Sequence, residues 1–175
     1  MKKSIGGKIA VVLSALALVF VIAMGLNLAA LIAIRDFNND ICNYMEMQQV
    51  KGEISIAFQE EKAVLDRVYF NQTGEEFESR RSSILSSMDM IDENLETLEA
   101  VCLRAGDSEA TELCAAWKNS IQEFNVDVKD FFEKVETRDY VNAKFLMDEF
   151  PNQESQIQSA EDALELMMAG ASETP

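Results

Sequence analysis

The chain has 175 residues, of which 31 are acidic and 15 basic, and it contains no histidine. All 31 acidic residues and 12 of the basic ones follow position 34, so the chain beyond that point carries a net charge of −19. Such an acidic segment excludes nucleic acid as a partner, because the phosphate backbone is itself anionic. Histidine is the commonest general base and metal ligand, and no phosphate-loop, zinc or calcium motif occurs either. We therefore expect no enzyme activity, no cofactor and no metal.

The first element is an apolar run from Ile9 to Ile34, interrupted only by small or polar uncharged residues. A helix needs roughly 20 apolar residues to cross a bilayer, whereas the apolar region of a secretory signal is about half as long. Lys2, Lys3 and Lys8 precede the run and predict a cytoplasmic N-terminus. Residues 1–8 are thus expected in the cytoplasm, residues 9–34 among inner-membrane lipids, and the rest in the periplasm or outside the cell.

Helix one is predicted to continue from the span to about residue 71, because no helix breaker separates them. Its apolar stripe contains Ile54, Phe58, Leu65 and Val68. A turn at residues 72–74 follows, where Thr73 caps helix two and Glu76 reaches back to complete a capping box.

Helices two and three each show apolar residues at alternating steps of four and three, which is typical of a coiled-coil-like seam. The predicted seam of helix two is Phe77, Ile84, Met88, Ile91, Leu95, Leu98 and Cys102. That of helix three is Ala110, Cys114, Trp117, Ile121, Phe124, Val128, Phe131 and Val135. Between them, Gly106 suits a helix C-terminus and Asp107 the next N-cap.

Helix four is predicted to begin near Asp139, with Pro151 kinking it. Its inward residues are Ala143, Phe150, Ile157, Ala160, Leu164 and Met167. Short connections make consecutive helices antiparallel. The predicted fold is all-α: a transmembrane helix continuous with an up-down-up-down four-helix bundle over residues 35–170, and a tail at 171–175 where a second span is expected.

The chain resembles the N-terminal sensory module of bacterial methyl-accepting chemotaxis proteins. The resemblance rests on the lysine-rich start of residues 1–8, on a first span that flows into helix one, and on the acidic, alanine and leucine pattern of residues 139–146. It implies a homodimeric receptor for a small molecule or a ligand-loaded binding protein, which passes a helix displacement across the membrane. No ligand signature of the family matches residue by residue.

Receptors of that family continue through a second span into a cytoplasmic signalling hairpin, which is not present before Pro175. One interpretation is that the chain is the sensory part of a longer receptor. The alternative is a single-span envelope protein whose acidic bundle serves as an interaction or scaffold module.

Three polar residues occupy seam positions: Glu61, Arg81 and Gln153. Counting helical rise from the distal turns places them at similar heights, where they would form a polar pocket. In the alternative, Glu61 and Arg81 pair with each other or extend to solvent. Family members often bind ligands in the membrane-distal half and across a dimer interface, which the same count assigns to Arg67 and Arg80.

Arginine binds carboxylates in a bidentate manner. Arg67, Tyr69, Arg80 and Arg81 are therefore ligand candidates by position and chemistry. Trp117, Phe124 and Phe131 are instead expected in the core, because they occupy consecutive seam positions.

Cys42, Cys102 and Cys114 form an odd set that cannot pair completely. Helix spacing and rise place Cys102 and Cys114 beyond the usual reach of a disulfide. Cys42 and Cys102 are nearly level, but buried free thiols are the default expectation. The glycosylation sequon at Asn71 is expected to supply only the turn.

Overall fold

The computed structural model describes residues 5–70 and 75–172, which form four helices and no strand. The helices are α1 (Ile5–Phe70), α2 (Glu75–Ala105), α3 (Ser108–Glu136) and α4 (Tyr140–Ser172). The all-helical prediction is thereby confirmed. The predicted turn at residues 72–74 with its Thr73 cap, the sequon at Asn71, and positions 173–175 of the tail lie outside the described residues.

The chain separates into two compact units, with the boundary between Cys42 and Asn43. In the first unit, α1 carries an apolar segment that is long and apolar enough to cross a membrane. An 18-residue window of this helix has a mean hydropathy of 2.6, and none of the window is buried. Phe20 and Leu26 are 66% and 68% exposed, so this segment presents large apolar side chains on its surface.

The second unit is a four-helix bundle with one hydrophobic core. Every residue predicted for the seams of α2 and α3 is buried, as is the stripe of α1. In α4, Ala143, Phe150, Ile157 and Leu164 are buried as predicted. The prediction for the last turn of α4 is less accurate, because Met168 is buried there whereas Met167, the predicted residue, is only partly buried. A helix repeats every 3.6 residues, so a strict seven-residue pattern drifts from the core over several turns.

Phe124 of α3 lies at the centre of the aromatic core. Its ring centroid is 5.3 Å from that of Phe58 in α1 and 5.3 Å from that of Phe150 in α4, both in edge-on geometry. Trp117 and Phe131 are also fully buried. The prediction that these aromatic side chains belong to the core is confirmed.

The turn between α2 and α3 follows its predicted chemistry. Gly106 has a φ of 71°, a left-handed conformation that glycine adopts without steric cost. The Asp107 carboxylate caps α3 by accepting a hydrogen bond from the Ala110 backbone N–H at 3.0 Å. The Tyr44 hydroxyl of α1 donates to the same carboxylate at 3.0 Å, so the cap also joins α1 to this end of the bundle.

Between α3 and α4, Arg138 adopts a left-handed φ of 61°. The backbone N–H of Asp139 donates to the Lys134 carbonyl and that of Arg138 to Val135, the pattern of a Schellman cap. Pro151 lies within α4. The kink expected there stays a prediction.

The cysteines differ in exposure: Cys42 is exposed, whereas Cys102 and Cys114 are buried free thiols. The expectation that Cys102 and Cys114 are buried free thiols is confirmed. The neighbouring Cys102 thiol, together with burial, raises the pKa of the Cys114 thiol.

Candidate functional site

Glu61 is a buried carboxyl group in the apolar stripe of α1. The stripe proceeds by steps of four and three from Ile54 to Val68, and Glu61 takes the position between Phe58 and Leu65. Its residue exposure is only 1%. Neither carboxyl oxygen has a hydrogen-bond partner among the described residues. A buried polar group without a partner is costly, so a functional explanation is warranted.

The surroundings of Glu61 favour its protonated form. Burial raises the pKa of Glu61 to about 8, and the nearby carboxylate of Asp92 in α2 acts in the same direction. The ammonium group of Lys129 in α3 lowers this pKa and only partly offsets the other two effects. At neutral pH most molecules therefore hold a neutral carboxyl group here, which is able to donate a hydrogen bond.

A cavity of about 410 Å³ adjoins Glu61 between α1 and α2. We call it the α1–α2 groove; its lining residues are Glu60, Glu61, Val64, Ser79, Ser82, Ser83, Ile84, Ser86, Ser87 and Met90. The volume falls at the lower end of the range for small-molecule sites, roughly 300–1,000 Å³. The described lining combines carboxyl groups, hydroxyl groups and a few apolar side chains, with no lysine or arginine among those residues.

The serines of the groove were not singled out by sequence reasoning, although a signal for them exists. Ser79, Ser83 and Ser86 repeat at steps of four and three, which places them on one face of α2. Ser87 connects the two helices directly, since its hydroxyl donates to the Ala57 carbonyl of α1 at 3.3 Å. A serine stripe beside an apolar seam therefore marks a polar face that packs against a neighbouring helix.

Arg81 does not pair with Glu61. Its guanidinium group forms ion pairs with Glu136 of α3 and, at 3.5 Å, with Glu78 one turn away in α2. Both partners are acidic residues of the bundle surface, and the pair with Glu136 directs Arg81 toward α3. The pairing of Glu61 with Arg81, considered above as an alternative to a ligand site, is therefore not what the structure shows.

Gln153 has a separate environment on α4. Its side-chain amide donates to the Asp127 carboxylate of α3 at 2.6 Å. The two residues line a second cavity of about 480 Å³, whose other lining residues all belong to α3. Glu61, Arg81 and Gln153 thus lie beside different partners, and no hydrogen bond joins any two of them in the described part of the chain.

Arg67 and Arg80 are brought together where α1 ends and α2 begins. The Arg80 guanidinium group donates to the Arg67 backbone carbonyl at 2.7 Å and also pairs with Glu76. Tyr69 lies in the last turn of α1. The proximity of Arg67 and Arg80 agrees with the expected height, but Arg80 already has an anionic partner within its own helix.

Comparisons with protein-family models, with curated proteins and with solved structures find no match to this chain. The functional conclusion therefore rests on the residues and the geometry given above.

Proposed function

We propose that this chain is the extracytoplasmic sensor module of a bacterial chemoreceptor of the methyl-accepting type. It binds a small ligand, or a ligand-loaded binding protein, and transmits a helix displacement across the inner membrane. The single observation that carries the proposal is a buried Glu61, without a hydrogen-bond partner among the described residues, at a cavity of a bundle whose α1 also bears a membrane-capable segment. A buried carboxyl group without a partner destabilises the folded state, so its presence at a cavity supports a binding role.

Ion pairs between helices support the up-down-up-down arrangement. Arg81 pairs with Glu136, and Lys118 with Glu99 at 2.6 Å, so position numbers rise along α2 as they fall along α3. The same inverse order relates α1 to α4, where Lys51 contacts Glu161 at 3.3 Å. Lys62 contacts Glu154 at 2.7 Å farther along α1. Such inverse pairing is what antiparallel neighbours produce.

The length of α1 supports a path for the signal. This helix runs from Ile5 to Phe70, and the residues of its apolar segment and Glu61 belong to the same element. A helix rises 1.5 Å per residue and resists compression along its axis. A shift of α1 caused by ligand binding would therefore reach the membrane segment as a displacement or rotation of the helix.

The first test is to sequence the native transcript beyond the codon for Pro175. Continuation into about 20 apolar residues and a long helical signalling region would support the receptor proposal. A stop codon would instead favour a single-span protein with a helical scaffold domain.

The second test is chemical cross-linking of the full chain in native membranes. A receptor of this type is expected to be a homodimer, so a covalent product of twice the mass of the native monomer should form. Exclusively monomeric chains at high membrane density would contradict the proposal.

A further inference from the structure

We infer that the α1–α2 groove binds a small organic cation that carries an ammonium group, with the Glu61 carboxylate as its counter-ion. The inference names the ligand class of the proposed sensor and rests on that function. Its starting point is a carboxyl group that is 1% exposed, lines the groove and has no hydrogen-bond partner among the described residues. A bound ammonium group would supply the donors that both oxygens lack.

The charges around the groove favour a cation over an anion. Among the described residues, Glu60 and Glu61 provide the only ionisable side chains of its lining. The arginines that flank this region are already engaged, Arg80 with Glu76 and Arg81 with Glu136. An anionic ligand would have to approach two carboxyl groups with no cation among the described lining residues, whereas an ammonium ligand can form an ion pair with Glu61.

The lining also favours an organic cation over a metal ion. No group of three or more acidic, cysteine or histidine side chains within the described residues is placed to hold a metal. Hard metal ions need about six oxygen ligands, which a pair of carboxyl groups does not provide. Val64, Ile84 and Met90 instead offer apolar contact for methylene groups, and the serine hydroxyls accept hydrogen bonds from N–H donors.

Binding must be coupled to proton release. Because most Glu61 side chains are protonated at neutral pH, pairing with an ammonium group requires the carboxyl proton to leave for solvent. The charged groups that act on Glu61 are Asp92 of α2 and Lys129 of α3. Glu60 is its neighbour in α1, and the α4 residue at the same level, Glu154, is held by Lys62 at 2.7 Å. Affinity for the cation should therefore rise by about tenfold per pH unit up to about pH 8 and then level off.

The inference can be tested by isothermal titration calorimetry on the full chain in detergent micelles. The probe is diaminobutane, and the length-matched controls are neutral butanediol and anionic succinate. We expect saturable binding of diaminobutane only. Glu61→Gln should weaken it by at least about tenfold, whereas Asp66→Asn, which alters an exposed carboxyl group of α1 outside the groove lining, should change it by less than about threefold.

A second measurement keeps the test independent of how the variant folds. Titrations of the unmodified chain at about pH 7, in two buffers of different ionisation enthalpy, should report the release of roughly one proton per bound diamine. Equal binding of butanediol, competition by magnesium at matched charge, or binding without proton release would overturn the inference. Absence of diaminobutane binding would do the same.

The outcomes also separate this inference from the sensor proposal. If succinate binds and diaminobutane does not, the ligand class is wrong while a sensor function stands. If diaminobutane binds through Glu61 but the native transcript stops after Pro175, the cation site is supported and the receptor proposal fails.

Discussion

The α3–α4 side and the α1–α2 side of the bundle share the same heptad spacing but differ in the side chains at the buried positions. Where α3 meets α4, the seam positions hold aromatic rings, and Phe150 contacts both Phe124 and Phe131. Where α1 faces α2, the corresponding region holds Glu61 and a stripe of serines, and a cavity remains between the helices. The polar residues differ as well, since Gln153 donates to Asp127 whereas Glu61 has no hydrogen-bond partner in the described structure. Periodicity thus establishes that a face is buried, and side-chain chemistry decides whether that face holds packed aromatic rings or a carboxyl group without a partner in the described structure.

The largest expected effect comes from breaking the aromatic side. Phe124→Ala removes a fully buried ring that contacts Phe58 and Phe150, and it should lower the free energy of unfolding by about 3–5 kcal/mol. The matched control is Val126→Ala on the same helix, because Val126 is 64% exposed and should cost less than about 0.5 kcal/mol. Chemical denaturation of the full chain in micelles measures both. Similar losses for the two variants would contradict the proposed position of the core.

The next effect concerns the groove side and depends on pH. The pKa of Glu61 rises from its ordinary 4.5 to about 8 on folding, mainly by burial, so the folded state binds more protons than the unfolded state between these values. Stability from this group is therefore fully present below about pH 4.5 and declines as pH rises toward about pH 8.

Glu61→Gln should remove that decline. The variant is expected to be more stable than the unmodified chain by roughly 2–4 kcal/mol at about pH 9 and nearly equal to it at about pH 4. Glu60→Gln serves as the control for the loss of one negative charge. Parallel stability curves for the Glu61 variant and the unmodified chain across this range would show that Glu61 is not buried as described.

The third expected effect is the formation of a disulfide bond between α2 and α3. Because the buried thiols of Cys102 and Cys114 lie close enough to shift each other's pKa, a mild thiol oxidant should join them within one chain. Closing this short loop should stabilise the bundle by roughly 2–3 kcal/mol.

Mass spectrometry after alkylation measures the product, in a Cys42→Ser background that prevents links through the exposed cysteine. Cys114→Ser in that background should abolish the link. A chain that stays fully reduced after prolonged oxidation would contradict the observed contact.

The smallest effect concerns the Asp107 cap of α3, which also joins α1 to the α2–α3 turn. Asp107→Ala removes the N-cap of α3 and the acceptor for the Tyr44 hydroxyl, and it should cost about 1–2 kcal/mol. Glu109→Ala is the control, because Glu109 is also in the first turn of α3 but is exposed. The shift in denaturation midpoint distinguishes the two, and an equal shift would show that helix-dipole charge, not capping, is responsible.

The seams of α2 and α3 were predictable from the sequence, because burial of one helical face repeats with the helix period and shows in every turn. The Gly106–Asp107 turn was predictable for a similarly local reason, since each residue satisfies a backbone requirement of its own helix end. The partners of Arg81 and Gln153 were not. Both arise from neighbouring helices, and which residues meet depends on a rotation and an axial shift that no single helix encodes.

By itself, the sequence determined four helices, their buried faces, the caps of the α2–α3 turn and an apolar segment suited to a membrane. Only the tertiary structure decided that Glu61 faces a cavity and has no partner in the described residues, that Arg81 turns to Glu136, and that Cys102 meets Cys114. The physical reason is the distance along the chain over which each kind of interaction acts. Helix propensity and capping act within a few residues, whereas pairing of buried polar groups depends on how side chains from separate helices fit together in three dimensions.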